Sequence, residues 1–325
     1  MQKMIVITGA AGFIGSFLAQ YFNEQGQDNL ILVDDFSKSE KEINHKDLRC
    51  AFKIQRAEFQ EWLHQNNIPL SGIIHLGART DTIEMNYDLL KELNFDYSQW
   101  LWNYCAQHQI PFIYASSAAT YGDGEYGYID DENLCQKLKP LNPYGISKNE
   151  FDIWAISQKK SPPFWAGLKF FNVYGPHESH KGRMASVVYH AFHQIQKEGK
   201  VKLFKSHHPD YENGGQMRDF VYVIDVIQII NWLLKTQNQS GIFNVGTGKA
   251  RSFKSLAQAV FASINKNEAI EYIDTPLNIR DKYQYFTEAK MDKLRKAGYS
   301  KEFYSLEEGV KDYVLNYLLP YSNEG

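Results

Sequence analysis

The feature that most restricts this chain lies at its start. A short apolar run, Met4 to Thr8, leads directly into Gly9-Ala10-Ala11-Gly12-Phe13-Ile14-Gly15, which opens an amphipathic segment from Phe13 to Glu24. Continuous rather than alternating apolarity marks a strand buried on both faces, as in a helix-covered parallel sheet. The G-x-x-G-x-x-G spacing lets the chain turn tightly, the backbone approach a ligand and the helix pack closely on the strand. The helix N-terminus then presents N–H groups and the positive end of its dipole to phosphate. A second apolar run, Leu30 to Val33, ends in Asp34 and Asp35, about the distance downstream at which an acid meets an adenosine ribose. Together these features predict a dinucleotide site, and a glycine turn serving packing alone is the weaker alternative.

The rest of the chain repeats the alternation. Further strands are expected at Ile73 to Leu76, Phe112 to Ala115, Gly167 to Phe171 and Gly241 to Val245, with helices at Tyr87 to Gln107, Tyr144 to Gln158, Tyr222 to Lys235, Phe253 to Ser263 and Leu306 to Leu318. The pattern predicts an α/β fold: a Rossmann-type doubly wound parallel sheet with a smaller, interleaved α/β substrate domain. Residues 1–174 plus about 220–250 would form the dinucleotide-binding domain, and about 175–219 plus 251–325 the substrate-binding domain. His177 to Arg183 and His207 to Gly215 read as loop.

Composition narrows the partners. The 325 residues carry 35 Lys plus Arg against 38 Asp plus Glu, a net charge of -3, so nothing calls for nucleic acid. No stretch approaches the roughly 18 consecutive apolar residues of a membrane helix, and a cytoplasmic protein is expected. Cys50, Cys105 and Cys135 lack a C-x-x-C spacing and read as reduced bystanders.

Chemistry enters with Tyr144-Gly145-Ile146-Ser147-Lys148, which sets a phenol and an ammonium four residues apart on one helical face. A lysine cation beside a tyrosine stabilises the phenolate, which can then take a proton from an alcohol. Spacing alone proves little, since Tyr87 and Lys91 share it. What distinguishes Tyr144 is the segment Tyr114-Ala115-Ser116-Ser117-Ala118-Ala119-Thr120-Tyr121-Gly122, where a strand ends in hydroxyls. Ligands gather at the carboxyl ends of strands in such sheets, so Ser117 is placed to meet a substrate oxygen beside Tyr144. Ser116 is the more readily explained as a cap of the next turn.

These segments resemble the extended short-chain dehydrogenase/reductase superfamily. Further runs narrow the resemblance, over nearly the whole chain, to the ADP-heptose 6-epimerase family. They are Phe170-Phe171-Asn172-Val173-Tyr174-Gly175-Pro176, His180-Lys181-Gly182, Met184-Ala185-Ser186, Arg218-Asp219-Phe220-Val221-Tyr222-Val223, Gly241-Ile242-Phe243-Asn244-Val245-Gly246-Thr247-Gly248 and Tyr283-Gln284. The resemblance implies an isomerase that interconverts ADP-D-glycero- and ADP-L-glycero-D-manno-heptose by transient oxidation to a ketone and re-reduction. NADP would be held tightly, with NAD the alternative, and the product would feed the lipopolysaccharide inner core.

The same resemblance implies catalytic roles for Tyr144 and Lys181 as acid/base groups, with Lys148 and Ser117 beside them. On the cofactor side it matches Gly9, Gly12, Phe13, Ile14, Gly15, Asp34, Asp35, Lys41, Arg56, Leu76, Gly77, Ala78, Arg79, Thr80, Asn94, Lys148, Val173 and Lys181. Toward the substrate it matches Ser117, Asn172, Arg183, His190, Arg218 and Tyr283, with Phe204, Lys205, Ser206 and His207 along the nucleotide. It also implies a homo-oligomer, a homopentamer in that family. Two positions depart from the family: Asp35 stands where Asn is common, and Arg183 where Ser is.

Alternatives come from other classes. Another sugar-nucleotide epimerase, of UDP-sugar type, would share most of these motifs. A dehydratase needs a further acid and base beside the serine, where this chain has Ala118 and Ala119. A non-catalytic dinucleotide sensor would not need the tyrosine, lysine and serine together. His177 and His180 lack a carboxylate or cysteine at suitable ligand spacing, so no metal is expected.

Overall fold

The computed structural model describes residues 3–276, 280 and 284–322. β1 (Met4–Thr8) and α1 (Phe13–Glu24) flank the glycine turn as expected, and β2 (Leu30–Asp34) is buried throughout. The chain continues through a short helix α2 (Glu42–His45), β3 (Phe52–Gln55), α3 (Phe59–Gln65), β4 (Leu70–His75), α4 (Tyr87–Leu90), α5 (Tyr97–His108), β5 (Phe112–Ser117), α6 (Pro143–Ser157) and β6 (Trp165–Phe170). The strand order is β3-β2-β1-β4-β5-β6, with strand Gly241–Val245 outside β6. Pairing from β3 to β6 is parallel throughout. Chain progression therefore reverses between β1 and β4, the place where ligands enter a doubly wound sheet.

Two departures from the expected elements have local causes. β3 is a partly exposed edge strand whose Phe52 is 37% accessible, so it lacks the continuous apolar signature of its neighbours. The helix expected at Tyr87 to Gln107 is interrupted by a π-helical turn, Lys91–Asp96. That turn carries Asn94, fully buried, whose side chain bonds both backbone groups of Arg79. Inserted π turns recur where a helix must aim one side chain.

The chain forms two compact units. One comprises Met1–Phe170, Ile227–Asn244 and Lys293–Tyr299; the other comprises Phe171–Val226, Val245–Asp292 and Ser300–Gly325. The core of the first is aromatic. Trp102 on α5 has no exposed surface and meets Phe112, Phe151, Trp154 and Trp165 at ring separations of 6.2, 6.5, 6.0 and 5.1 Å. Such tilted and edge-on contacts are the favoured ring geometries.

In the second unit β7 (Asn172–Tyr174) pairs parallel with Phe220–Tyr222, and Val201–Phe204 with Ile270–Ile273. Tyr222 thus ends a strand, and the following helix starts at Val223. α7 (Val187–Glu198) buries Val188, Phe192 and Ile195, one stripe at helical spacing. Helix Leu306–Tyr313 starts at a capping box between Ser305 and Glu308, and its Gly309 leaves room for the Tyr174 hydroxyl, which a Cβ would meet at 2.2 Å. Among the described residues no helix is long and apolar enough to cross a membrane.

Candidate active site

The glycine turn is shaped by contacts that forbid side chains. Gly9 has φ +71°, and a Cβ there would lie 2.6 Å from the Gly77 nitrogen; one on Gly15 would lie 2.2 Å from the Gly9 carbonyl oxygen. Gly12 is the N-cap of α1 and supplies no side-chain cap to the first turn. A cradle that a Cβ would fill, in front of a helix N-terminus, fits a pyrophosphate.

The two aspartates after β2 have separate roles. Asp34 is buried and accepts the Ala11 N–H at 2.9 Å, the Asp35 N–H at 2.7 Å and the Lys41 amine at 3.2 Å. Its carboxylate thereby holds the glycine turn against β2, and Lys41 is paired to it. Asp35 accepts from the Ser37 hydroxyl at 2.5 Å and the Ser37 N–H at 3.2 Å. Those bonds first, then the charges of Lys38 and Arg56, hold its carboxyl below the usual range. Asp35, just past the end of β2, is partly exposed, with the Lys38 and Arg56 charges acting on it.

Loop 76–80 follows β4 and is fixed at both ends. The N–H groups of Leu76 and Gly77 donate to the Thr8 carbonyl and hydroxyl at 3.1 and 3.3 Å. Asn94 accepts the Arg79 N–H at 2.8 Å and donates to the Arg79 carbonyl and the Ser147 hydroxyl, each at 3.0 Å. One amide therefore joins this loop to α6. His75, at the end of β4, bonds the Thr8 and Ser98 hydroxyls at 2.6 and 2.9 Å. Burial, and then the Lys148 charge, push its imidazole down to about 3, so it is neutral.

Helix α6 carries Tyr144 and Lys148. Asn142 caps it by accepting the Gly145 N–H at 2.8 Å, and Pro143 occupies the first turn. One turn then separates Tyr144 from Lys148, and both are buried. Burial raises the Tyr144 phenol, and the neighbouring Ser117 side chain opposes the rise. Lys148 Nζ donates to the Ala115 carbonyl at 2.9 Å. Burial draws this amine down to about 8, against the pull of Asp152. The Ser117 oxygen also accepts the Ala119 N–H at 3.1 Å, which fixes its position at the strand end. The structure thus brings Ser117, Tyr144 and Lys148 together.

The lookalike pair does not form such a site. Tyr87 donates to Glu150, and Lys91 is exposed and pairs with Asp96 at 2.6 Å. Asp152 lies four residues beyond Lys148 and so on the same face of α6. It accepts the Tyr114 and Ser116 hydroxyls at 3.0 and 2.7 Å and pairs with the buried Lys169 at 3.0 Å. Lys169 in turn donates to the Thr120 hydroxyl at 2.5 Å. Ser116 is therefore held by Asp152 rather than serving as a cap. Sequence reasoning missed Asp152, although the i, i+4 spacing from Lys148 was a usable signal.

The remaining expected residues belong to the second unit. Lys181 sits in a 3-10 turn, Ser179–Met184, where the sequence suggested loop. Burial lowers its amine pKa, opposed by Glu178. Arg183 is exposed, His190 is half-buried on α7, and Asn172 and Val173 lie on β7. Arg218 donates to the carbonyls of Met217, at 2.8 Å, and Gln284, and its guanidinium lies 5.6 Å from the Phe253 ring. Phe204 ends a strand; Lys205 pairs with Asp274 at 3.2 Å, Ser206 accepts the His208 N–H at 3.1 Å, and the His207 N–H donates to the Tyr285 hydroxyl at 3.0 Å. Tyr283 lies outside the described residues. Asp219, unanticipated, accepts N–H groups of Thr247, Gly248 and Ala289 at 2.7 to 3.0 Å and so organises the turn after Val245.

Residues 5–246 match the NAD dependent epimerase/dehydratase family, and the chain belongs to it. A nicotinamide dinucleotide is accordingly the cofactor type, and the chain is an enzyme of the isomerase class. Two full-length relatives are more particular. The chain is 50% identical, over 97% of its length, to the ADP-L-glycero-D-manno-heptose-6-epimerase of Fusobacterium nucleatum, 98% of which is covered. It is 47% identical, over the same shares, to the enzyme of that name from Nitratidesulfovibrio vulgaris. Among solved structures, the Helicobacter pylori ADP-L-glycero-D-manno-heptose-6-epimerase superposes with a TM-score of 0.82 at 29% identity, covering 99% of this chain and 96% of the other. The Thermus thermophilus UDP-glucose 4-epimerase in complex with NAD shares the fold, with a TM-score of 0.76 at 24% identity over 96% and 98% of the two chains.

Proposed function

We propose that this enzyme interconverts ADP-D-glycero- and ADP-L-glycero-D-manno-heptose. The observation that carries the reading is the placing of Tyr144 and Lys148 one turn apart on α6, with the Lys148 amine tied to Ala115 two residues before Ser117, in a chain about half identical to enzymes of that name. The carbon to be inverted bears a hydroxyl and no acidic hydrogen, so direct deprotonation is prohibitive. When bound, the nicotinamide supplies a reversible hydride acceptor, so the carbon passes through a planar ketone and is reduced again from the other face. Tyr144 exchanges the alcohol proton, Ser117 orients the oxygen, and the Lys148 cation favours the phenolate. Lys181 serves as the second acid/base group, an assignment supported by its place in the family-like His180-Lys181-Gly182 run and by its lowered amine pKa.

NADP is the preferred dinucleotide in this reading, with Lys38 and Arg56 near Asp35 as the cations available to a 2'-phosphate. Lys41, Asn94, Val173 and loop 76–80 belong to the cofactor side, and Asn172, His190, Arg218, Tyr283 and Phe204 to His207 to the substrate side. The reading also makes the enzyme a cytoplasmic homo-oligomer supplying heptose for the lipopolysaccharide inner core. Incubating the purified enzyme with either ADP-heptose epimer, without added cofactor, should yield both epimers. Bound dinucleotide with no interconversion, or turnover of UDP-glucose alone, would refute the assignment.

A further inference from the structure

The turn that carries Lys181 is fastened by one buried carboxylate. Glu178 has no exposed surface. Its Oε1 accepts the Gly175 N–H at 3.2 Å and the Ser186 hydroxyl at 2.7 Å, and its Oε2 accepts the Ser186 N–H at 2.6 Å. The Tyr313 phenol of helix Leu306–Tyr313 lies near enough for the same carboxylate to raise it, after burial. Its own backbone carbonyl accepts the Lys181 N–H at 2.9 Å. Ser186 is at once the N-cap of α7, accepting the Tyr189 N–H at 3.2 Å. The side chain thus joins the exit of β7 to the start of the helix bearing His190, while the backbone carbonyl of the same residue holds the Lys181 turn.

Resting on the reading of Lys181 as an acid/base group, we infer that Glu178 is the positioning residue for Lys181, holding its turn in register. The donor set specifies a carboxylate. Both oxygens receive donors, whereas a glutamine would turn an NH2 toward either the Ser186 N–H or the Gly175 N–H and leave a buried donor unpaired. Burial raises the Glu178 carboxyl, the Ser186 bonds hold it down, and Lys181 is the cation acting on it. Facing it from neighbouring elements are Tyr189 on α7 and Tyr313, both of whose phenols are raised. Of these groups Lys181 alone carries a compensating charge, so the pair is coupled: removing the carboxylate charge lowers the amine's proton affinity.

The test uses the holoenzyme and Glu178→Gln, with Lys181→Met made in parallel. Competitive labelling with acetic anhydride, read at the Lys181 peptide by mass spectrometry across pH, reports the Lys181 amine without reference to turnover. In Glu178→Gln the labelling midpoint should move to lower pH, and kcat should fall by about a hundredfold with KM changed far less. Glu178→Asp should recover part of that rate. A wild-type midpoint and wild-type kcat in Glu178→Gln overturn the inference. If Glu178→Gln does not fold, Ser186→Ala removes the hydroxyl donor to Oε1 and keeps the backbone one: a kcat several-fold below wild type with unchanged bound dinucleotide supports it, and a wild-type kcat overturns it. A shifted midpoint beside a fully active Lys181→Met keeps Glu178 as the positioning residue while removing the acid/base role of Lys181. A fixed midpoint beside an inactive Lys181→Met does the reverse.

Discussion

Lys148 Nζ donates to the carbonyl oxygen of Ala115 across 2.9 Å, so α6 and β5 share one fixed point two residues before Ser117. The bond sets where the Tyr144 phenol meets the serine. It also holds a cation where burial opposes one, which is why the amine falls from 10.5 to about 8.

Lys148→Met should lower turnover by a factor on the order of 100 or more while leaving the protein folded. The folded amine titrates below the unfolded one, so the unfolded chain holds the extra proton between about 8 and 10.5 and wild-type stability rises with pH across that window. The thermal midpoint of Lys148→Met, compared with wild type, should lack this rise. A parallel pH dependence in both proteins would show that the amine is not shifted.

Tyr144→Phe removes the phenol and keeps the ring. Its kcat should fall by about 1,000-fold with bound dinucleotide unchanged. Ser117→Ala deletes the side chain that opposes the rise of the phenol pKa, so the limb of the rate profile requiring phenolate should move to higher pH. A limb that stays in place would separate Ser117 from Tyr144.

Gly15→Ala sets a methyl group 2.2 Å from the Gly9 carbonyl oxygen, backbone that cannot swing aside. The variant should lose about 1–3 kcal/mol of stability and be purified without dinucleotide. Full occupancy, read by ultraviolet absorbance, would contradict the cradle.

Asp35→Asn removes a negative charge on which Lys38 and Arg56 act. Affinity for NADP relative to NAD should rise about tenfold, measured by titrating each dinucleotide into stripped enzyme. An unchanged ratio would mean that Asp35 does not face the 2' position.

Trp102→Ala empties the centre of the aromatic core of the first unit and should cost about 3–5 kcal/mol by denaturant unfolding. A cost below about 1 kcal/mol would mean that its four ring neighbours do not depend on it.

Much of this was legible because its signals are local. The glycine turn, the start of α1 and the Tyr144–Lys148 spacing each lie within about two helical turns, where period and residue type suffice. The buried carboxylates were not legible in that way. Asp152 takes its meaning from Tyr114, Ser116 and Lys169, and Asp219 from Thr247 and Ala289, all distant in sequence. Glu178 stood inside a polar cluster that reads as solvated loop until Tyr313 and Ser186 close over it. The break in the expected helix from Tyr87 to Gln107 was likewise hidden, because no local residue type marks the π turn that carries Asn94.

The most direct measurement places deuterium on the inverting carbon of the ADP-heptose and follows it through turnover in ordinary water. A hydrogen that leaves and returns as hydride stays with the enzyme, so the product epimer should keep the label. Loss of the label to solvent would contradict transient oxidation and replace it with a proton-exchange route.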